Sequence, residues 1–527
     1  MDGPDVSGIS RHADVIVVGS GFGGAMVAWP LVHAGLDVVM FERGTSVARG
    51  PHNWEGTATI MRSPSYTEGP AYTADTDRGV AERHAYTCVG GPSVFYGGVS
   101  LRFREQDFTP AIEVATDSGA RWPFGYETLS PYYDRVERIL GVAGRANEDP
   151  TEPPRSTDYP FPPSELSEVS RIMARAAESQ GLHPFRLPLA INYAERETQR
   201  ACIECDTCDT FPCAIEAKND IEARVLRSLV ERGLDLRPGS AVTEVIVEGQ
   251  RCVGVSYVDQ SSGARSTATA DRIVLAGGAL GSAQLLLASR LEELNPAGDA
   301  VGRYLTRHCS SISFGAFTWV PRHEGRYHKH IGLNDYYHGD PEGRAPPGPL
   351  GNIQQSQTPN LGTVREELSA VAAALLGPLV RRLTGLLVIA EDRPQYTNRV
   401  TLDRSETNAS GLPHLRVHHR YADRDLEARR FLGQRARALH RRAGALATYT
   451  HVIDTFSHVL GTVRMGADPE SSPLDEAGRF RGVEHLYVAD GSALPTAAGV
   501  NPSLTISANA HRVGDIIAED LRSGHGP

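Results

Sequence analysis

Long apolar runs are missing from this 527-residue chain. No stretch of about 18 or more apolar residues occurs, which excludes a membrane-spanning helix. A basic excess is missing too. The net charge is −11, so the chain lacks the cationic footprint that nucleic-acid phosphates require, and no nucleic-acid partner is expected. An acidic surface can favour cationic substrates but more often serves solubility. Cysteines are few, seven in all; an odd number scattered over this length does not make a secreted disulfide scaffold. The first residues, Met1-Asp2-Gly3-Pro4-Asp5, carry neither a basic nor an apolar segment. No secretory signal is expected from them, and the cytoplasm is the default compartment. No internal repeat is found.

What is present suits a globular protein with a large core: 40% apolar residues, with 53 Gly and 34 Pro marking many turns. The length implies two or three structural units. Residues 14–18 read as a buried strand, 24–34 as a helix and 37–41 as a second strand ending in Glu42, a β-α-β unit with a parallel crossover. Residues 45–86 read as a long polar loop. Helical spacing recurs over 126–141, 164–181, 221–233, 279–289, 362–383 and 424–445, and again from Ser503. Strand patterns occupy 241–258, 272–276, 397–403, 414–420 and 486–488. The Pro-rich, acidic stretch 147–163 reads as a linker, and 320–360 as a loop.

Gly19-Ser20-Gly21-Phe22-Gly23-Gly24 fits G-x-G-x-x-G in the setting that gives the pattern meaning: a strand before, a helix after, and Glu42 ending the next strand. Gly19 permits the tight turn, Gly21 lets backbone approach a pyrophosphate, and Gly24 lets the helix sit against the sheet. The helix N-terminus offers free N–H groups and partial positive charge to phosphates. Glu42 is placed to accept from adenosine ribose hydroxyls, which disfavours a 2′-phosphate. A tight structural turn is the plainer alternative, and the motif alone does not separate FAD from NAD. A second run, Gly90-Gly91-Pro92-Ser93-Val94-Phe95-Tyr96-Gly97-Gly98, either lays backbone against a flat ring or a phosphate or is an ordinary multi-turn loop.

Three further segments stand in order: Ser457-His458-Val459-Leu460-Gly461-Thr462-Val463-Arg464-Met465-Gly466, then Val488-Ala489-Asp490-Gly491-Ser492, then Val500-Asn501-Pro502-Ser503-Leu504-Thr505-Ile506. With the glycine fingerprint in place, the set resembles the glucose–methanol–choline (GMC) oxidoreductase family over nearly the whole chain. The resemblance implies an α/β class, α+β overall: a Rossmann-like FAD-binding domain from residues 1–150, 214–318 and 455–527, and a discontinuous sheet-and-helix substrate domain from 151–213 and 319–454. It implies oxidation of an alcohol to an aldehyde or ketone, with hydride passing to flavin N5. His458 matches the family's base, and a neutral imidazole suits removal of the hydroxyl proton. Asn501 matches the second residue of the pair, and its amide suits the developing alkoxide. Cofactor contacts are expected from Gly19, Gly21, Phe22, Gly23, Gly24, Glu42, Arg43, Gly91, Ser93, Tyr96, Gly97, Val242, Ala276, Asp490, Gly491, Asn501, Pro502 and Ser503. Asn501 as N-cap with Pro502 at the first helical position would open a helix whose dipole favours reduced flavin. Some family members attach FAD through a histidine in the second glycine run; Phe95 and Tyr96 stand there instead, so noncovalent FAD is expected.

Cys202-x2-Cys205-x2-Cys208-x4-Cys213 leaves three readings open: structural thiols or a local disulfide, a zinc site, or an iron–sulfur cluster. No metal is assigned. Between 320 and 360, His323, Tyr327, His328, His330, Tyr336, Tyr337 and His338 suit a polyhydroxylated substrate or simply form an exposed loop. The resemblance leans toward bacterial members acting on sugars or aminoglycosides. A choline-like or sterol-like alcohol, an NAD(P)-linked reductase and a non-catalytic flavin-binding relative are the alternatives. The reductase needs a second G-x-G-x-x-G, and Gly277-Gly278-Ala279-Leu280-Gly281 lacks it. The electron acceptor, oxygen or another, is not encoded in these motifs.

Overall fold

Strand Ile9–Val18 takes the middle of a seven-stranded sheet because both of its faces are apolar; Val15, Ile16 and Val17 are fully buried. The computed structural model that provides this view describes residues 9–523 apart from 57, 198, 320–328, 357–378 and 381. Strand Val38–Phe41 pairs with it in parallel on one side, and the C-terminal half of Arg265–Leu275 does so on the other. Helix Phe22–His33 makes the crossover. Asp235–Arg237 extends the sheet past Val38–Phe41, while the hairpin Ser240–Glu248 and Arg251–Asp259 extends it past Arg265–Leu275. The late strand Leu486–Val488 returns to pair with Ile273–Leu275. This return brings the C-terminal motifs to the same sheet end as the glycine turn.

A second sheet of six antiparallel strands runs in the order Ala447–Val452, Cys309–Ala316, Leu383–Ala390, Gly351–Ser356, Ile331–Leu333, Phe185–Arg186. Helices Asp423–Arg442 and Glu168–Glu178 cover one face, with Phe431, Leu432 and Leu439 sharing a core with Leu386 and Val388. A third sheet orders Arg399–Thr407, Pro413–His418, Ala71–Thr76 and Gly79–His84.

Several expectations are corrected. The stretch 45–86 is not one loop: it contains the hairpin Ala71–Thr76 and Gly79–His84. The strand Ala71–Thr76 is stabilised by parallel pairing with Pro413–His418, a distant partner that no local pattern announces. Cys309–Ala316, expected with the FAD-binding segments, pairs instead in the second sheet. Its buried positions are the small residues Cys309, Ser311, Ser313 and Gly315, so the apolar alternation that marks a half-buried strand is inverted. Small residues are needed there because helix Asp423–Arg442 lies close; a Cβ on Gly315 would overlap the His440 ring. Within 320–360, Ile331–Leu333 and Gly351–Ser356 are strands rather than loop. The helix expected over 362–383 falls largely outside the described residues, and Leu383 begins a strand. Residues Glu222–Leu226 are π-helical before the α-helix Arg227–Glu231. No helix among the described residues is long and apolar enough to cross a membrane.

Candidate active site

The turn between Ile9–Val18 and Phe22–His33 is shaped by its glycines. Gly19 has φ +103°, a left-handed conformation that only glycine adopts without strain. A Cβ on Gly23 would run into Ala489 O, and one on Gly24 would run into Gly19 O. A Cβ on Gly21 would meet nothing within 4 Å. Two of these glycines therefore serve close packing, and Gly21 faces open space in a cavity that it lines.

That cavity has a volume of about 690 Å³, inside the range of about 300–1,000 Å³ typical of small-molecule sites. It runs from the glycine turn to His458 and Asn501. Every residue expected to contact cofactor lines it except Gly24 and Ser93. Gly24 instead sets the helix against the turn. Ser93 Oγ donates to Gly90 O and accepts from Ile221 N, which locks the second glycine run internally. Glu42 is buried and already fastens the turn: its carboxylate accepts from Ser20 N, Ser20 Oγ and Gly44 N at 2.7–3.0 Å. Ser20 Oγ in turn accepts from Gly90 N, so the two glycine segments are tied together. Asp490 is likewise buried; it accepts from Gly278 N and Ser282 Oγ on one oxygen and from Ser492 on the other. Burial raises its pKa. Tyr96 donates to Asn219 O and meets the Phe22 ring edge-on.

At the far end, His458 lines the cavity and its ring stands perpendicular to that of His308. His308 Nε2 lies 3.1 Å from both Ala497 O and Ala498 O. Carbonyls only accept, so this nitrogen carries the hydrogen. Burial pulls the His308 pKa down, so the ring is neutral and its Nδ1 is an acceptor. His458 Nδ1, 3.0 Å away, is then the donor, and His458 Nε2 keeps its lone pair. Burial, and after it the neighbouring His308, push the His458 pKa down to about 3. The result is a neutral imidazole with one basic nitrogen left over, the arrangement a proton acceptor needs.

Asn501 lines the same cavity, but it does not cap its helix. The helix spans Ser503–Ser523 and its first bond is accepted by Pro502 O from Ile506 N, so Pro502 is the cap and Asn501 precedes it. Asn501 Oδ1 instead accepts from Gln354 Nε2 at 2.9 Å. A strand from the second sheet has claimed the amide.

Among the lining residues that escaped the sequence reading are Arg307, His308, Lys329 and Gln354. None sits in a local motif; each reaches the cavity from the second sheet or its flanks. Lys329 pairs with Asp209 directly over Gly97. Of the loop residues proposed for substrate, His323, Tyr327 and His328 lie outside the described residues. The others do not line the cavity: His330 bonds Ser170, Tyr336 packs on Phe431, and His338 borders a separate pocket. Tyr337 OH donates to Asp107 and accepts from Gly499 N, which steadies the Ala497–Gly499 loop. Among the described residues, which include all seven cysteines, no disulfide is formed. Among the described residues no three His, Cys, Asp or Glu side chains converge as metal ligands. The 202–213 segment is held by a buried lysine: Lys218 Nζ donates to Tyr96 O, Cys208 O and Phe211 O.

Family models of GMC oxidoreductases match residues 14–310 with the N-terminal part and 394–510 with the C-terminal part. The chain is 31% identical to paromamine 6′-oxidase of Streptomyces fradiae and 33% identical to 6‴-hydroxyparomomycin C oxidase of Streptomyces lividus, each over 99% of this chain and 94% of the relative. Its fold is similar to that of pyridoxine 4-oxidase from Mesorbium loti, with a TM-score of 0.67 at 18% identity over 98% of this chain and 100% of that one. The chain belongs to the GMC oxidoreductase family and is an FAD-dependent alcohol oxidoreductase.

Proposed function

We propose that this enzyme oxidises a hydroxyl group of an aminoglycoside-type sugar or a related polyol, with His458 as the base. The observation that carries the chemistry is the lone pair left on His458 Nε2 by the bond from its Nδ1 to His308. His458 Nε2 takes the hydroxyl proton, and Asn501 Nδ2 donates to the same oxygen as negative charge develops on it. When bound, FAD supplies the acceptor for the hydride that leaves the carbinol carbon. The residues present fit that group. Gly21 leaves space where backbone must approach a pyrophosphate, and Glu42 lies at the end of the second strand, where an adenosine ribose is held. Arg43, Val242, Ala276, Asp490, Gly491, Gly91, Tyr96 and Gly97 line the same cavity. The FAD-binding unit is built on the seven-stranded sheet and the substrate-side unit on the six-stranded sheet. Cysteines that form no disulfide suit a reducing compartment, in support of a cytoplasmic enzyme.

The sugar reading rests on the two Streptomyces relatives, named as oxidases of paromamine and of 6‴-hydroxyparomomycin C, names that also favour oxygen as the acceptor. It is tested by anaerobic bleaching of the flavin with a panel of alcohols. Amino sugars and neutral polyols are expected to bleach it fastest; faster bleaching by simple aliphatic alcohols, choline or sterols overturns the substrate class. With no histidine in the run 90–98, FAD is held noncovalently, and acid precipitation is expected to release yellow flavin into the supernatant. Flavin retained in the pellet is the contrary result.

A further inference from the structure

We propose that a relay of side-chain amides, running inward from the Arg104–Asp149 ion pair, fixes which end of Asn501 faces the substrate, with Asn334 and Asn352 as positioning residues. The proposal rests on the reading of Asn501 as donor to the substrate oxygen. An amide turned end for end keeps its shape, so packing does not tell its oxygen from its nitrogen; only hydrogen-bond partners do. Asp149, at the outer end, is paired with Arg104 and accepts from Thr151 N and Oγ1. As a carboxylate it only accepts.

The direction then propagates. Asn334 Nδ2 donates to Asp149 Oδ2 at 2.6 Å. That turns Asn334 Oδ1 inward, where Asn352 Nδ2 donates to it. Asn352 Oδ1 accepts from Gln354 Nε2 at 3.0 Å, and the same nitrogen gives its second hydrogen to Asn501 Oδ1 at 2.9 Å. Asn352 and Gln354 lie two apart on one strand, so their side chains share a face, and Asn334 follows the neighbouring strand. Asn501 Oδ1 is thereby occupied. Its Nδ2, which makes no protein bond among the described residues, is the atom presented to an oxygen in the cavity. Asn334 and Asn352 are fully buried and Gln354 is 2% exposed, so no bulk water rescues a reversed member. Reversal of one amide would set like atoms face to face at a cost typical of unsatisfied buried groups.

The test is a double-mutant cycle on the flavin-loaded enzyme, with Asn352→Leu, Asn501→Ala and the double variant. Asn352→Leu is expected to lower kcat about tenfold, with KM shifting by no more than about threefold. On the Asn501→Ala background the same change is expected to alter kcat by less than about twofold, because the group it orients is gone. Additive losses, an effect on KM alone, or an unchanged kcat for Asn352→Leu overturns the relay and leaves the alcohol-oxidation reading intact. An unchanged kcat for Asn501→Ala overturns the donor role and the relay with it. If Asn352→Leu does not yield flavin-loaded protein, Asn334→Leu takes its place in the cycle and is judged by the same results.

Discussion

Replacing His458 with alanine is expected to lower kcat by about 10²–10⁴-fold, the range of a positioned general base, while FAD stays bound. The hydrogen bond that orients His458 is made to His308, and the ring lines the part of the cavity it shares with Asn501. The glycine turn, Glu42 and Asp490 do not depend on it, so flavin content should match the parent enzyme. The structural cost is confined to His308 Nδ1, which loses its donor; an unmet buried acceptor costs about 1–3 kcal/mol. Normal flavin content with no flavin reduction by substrate marks catalysis. Undiminished turnover would show that His458 is not the base. The comparison is made by steady-state kinetics beside the absorbance ratio of flavin to protein.

The second large effect separates two glycines that look alike in sequence. Gly24→Ala puts a methyl group into Gly19 O, a backbone atom that cannot retreat without reopening the turn. Little folded protein is expected, or a loss of stability beyond about 3 kcal/mol, as for severe overpacking. Gly21→Ala meets nothing within 4 Å, so the apoprotein should melt within a few degrees of the parent. Its FAD affinity should nonetheless drop at least about tenfold, because the added methyl occupies the approach that a pyrophosphate needs. Thermal melts of the apoproteins and flavin titrations distinguish the two. Equal behaviour in both assays would mean that the turn is structural only.

These two predictions draw on features of unequal visibility in the sequence. The β-α-β unit was legible because Val15, Ile16 and Val17 are apolar without interruption and glycines follow at once. His458 and Asn501 were legible through their motifs, and the return of Leu486–Val488 to the first sheet explains why segments so far from the glycine turn share its cavity. His308 was not legible. It precedes a strand whose buried positions are Cys, Ser, Ser and Gly, so neither periodicity nor a motif marks it. Asn334 and Asn352 lie in a stretch whose polar residues read as a surface loop. They are buried, and a buried polar network has the same composition as an exposed one. The N-cap assigned to Asn501 was wrong for a related reason: its local signal is sound, but Gln354 from another sheet offers the amide a better partner.

The central claim is that a half-buried, neutral His458 accepts the substrate proton. Its pKa lies far below the ordinary 6.5, at about 3, chiefly through burial and then through His308. A depressed histidine pKa means that the unfolded chain binds a proton between pH 6.5 and about 3 that the folded chain does not, so this group's contribution to stability falls as pH falls through that window. Over the same window the folded enzyme keeps its base. The direct measurement is the rate constant of anaerobic flavin reduction by saturating substrate as a function of pH. The account predicts no acid limb near pH 6.5 and a rate that holds down to about pH 5. A rate that falls about tenfold per pH unit from an apparent pKa at or above the ordinary histidine value would contradict it.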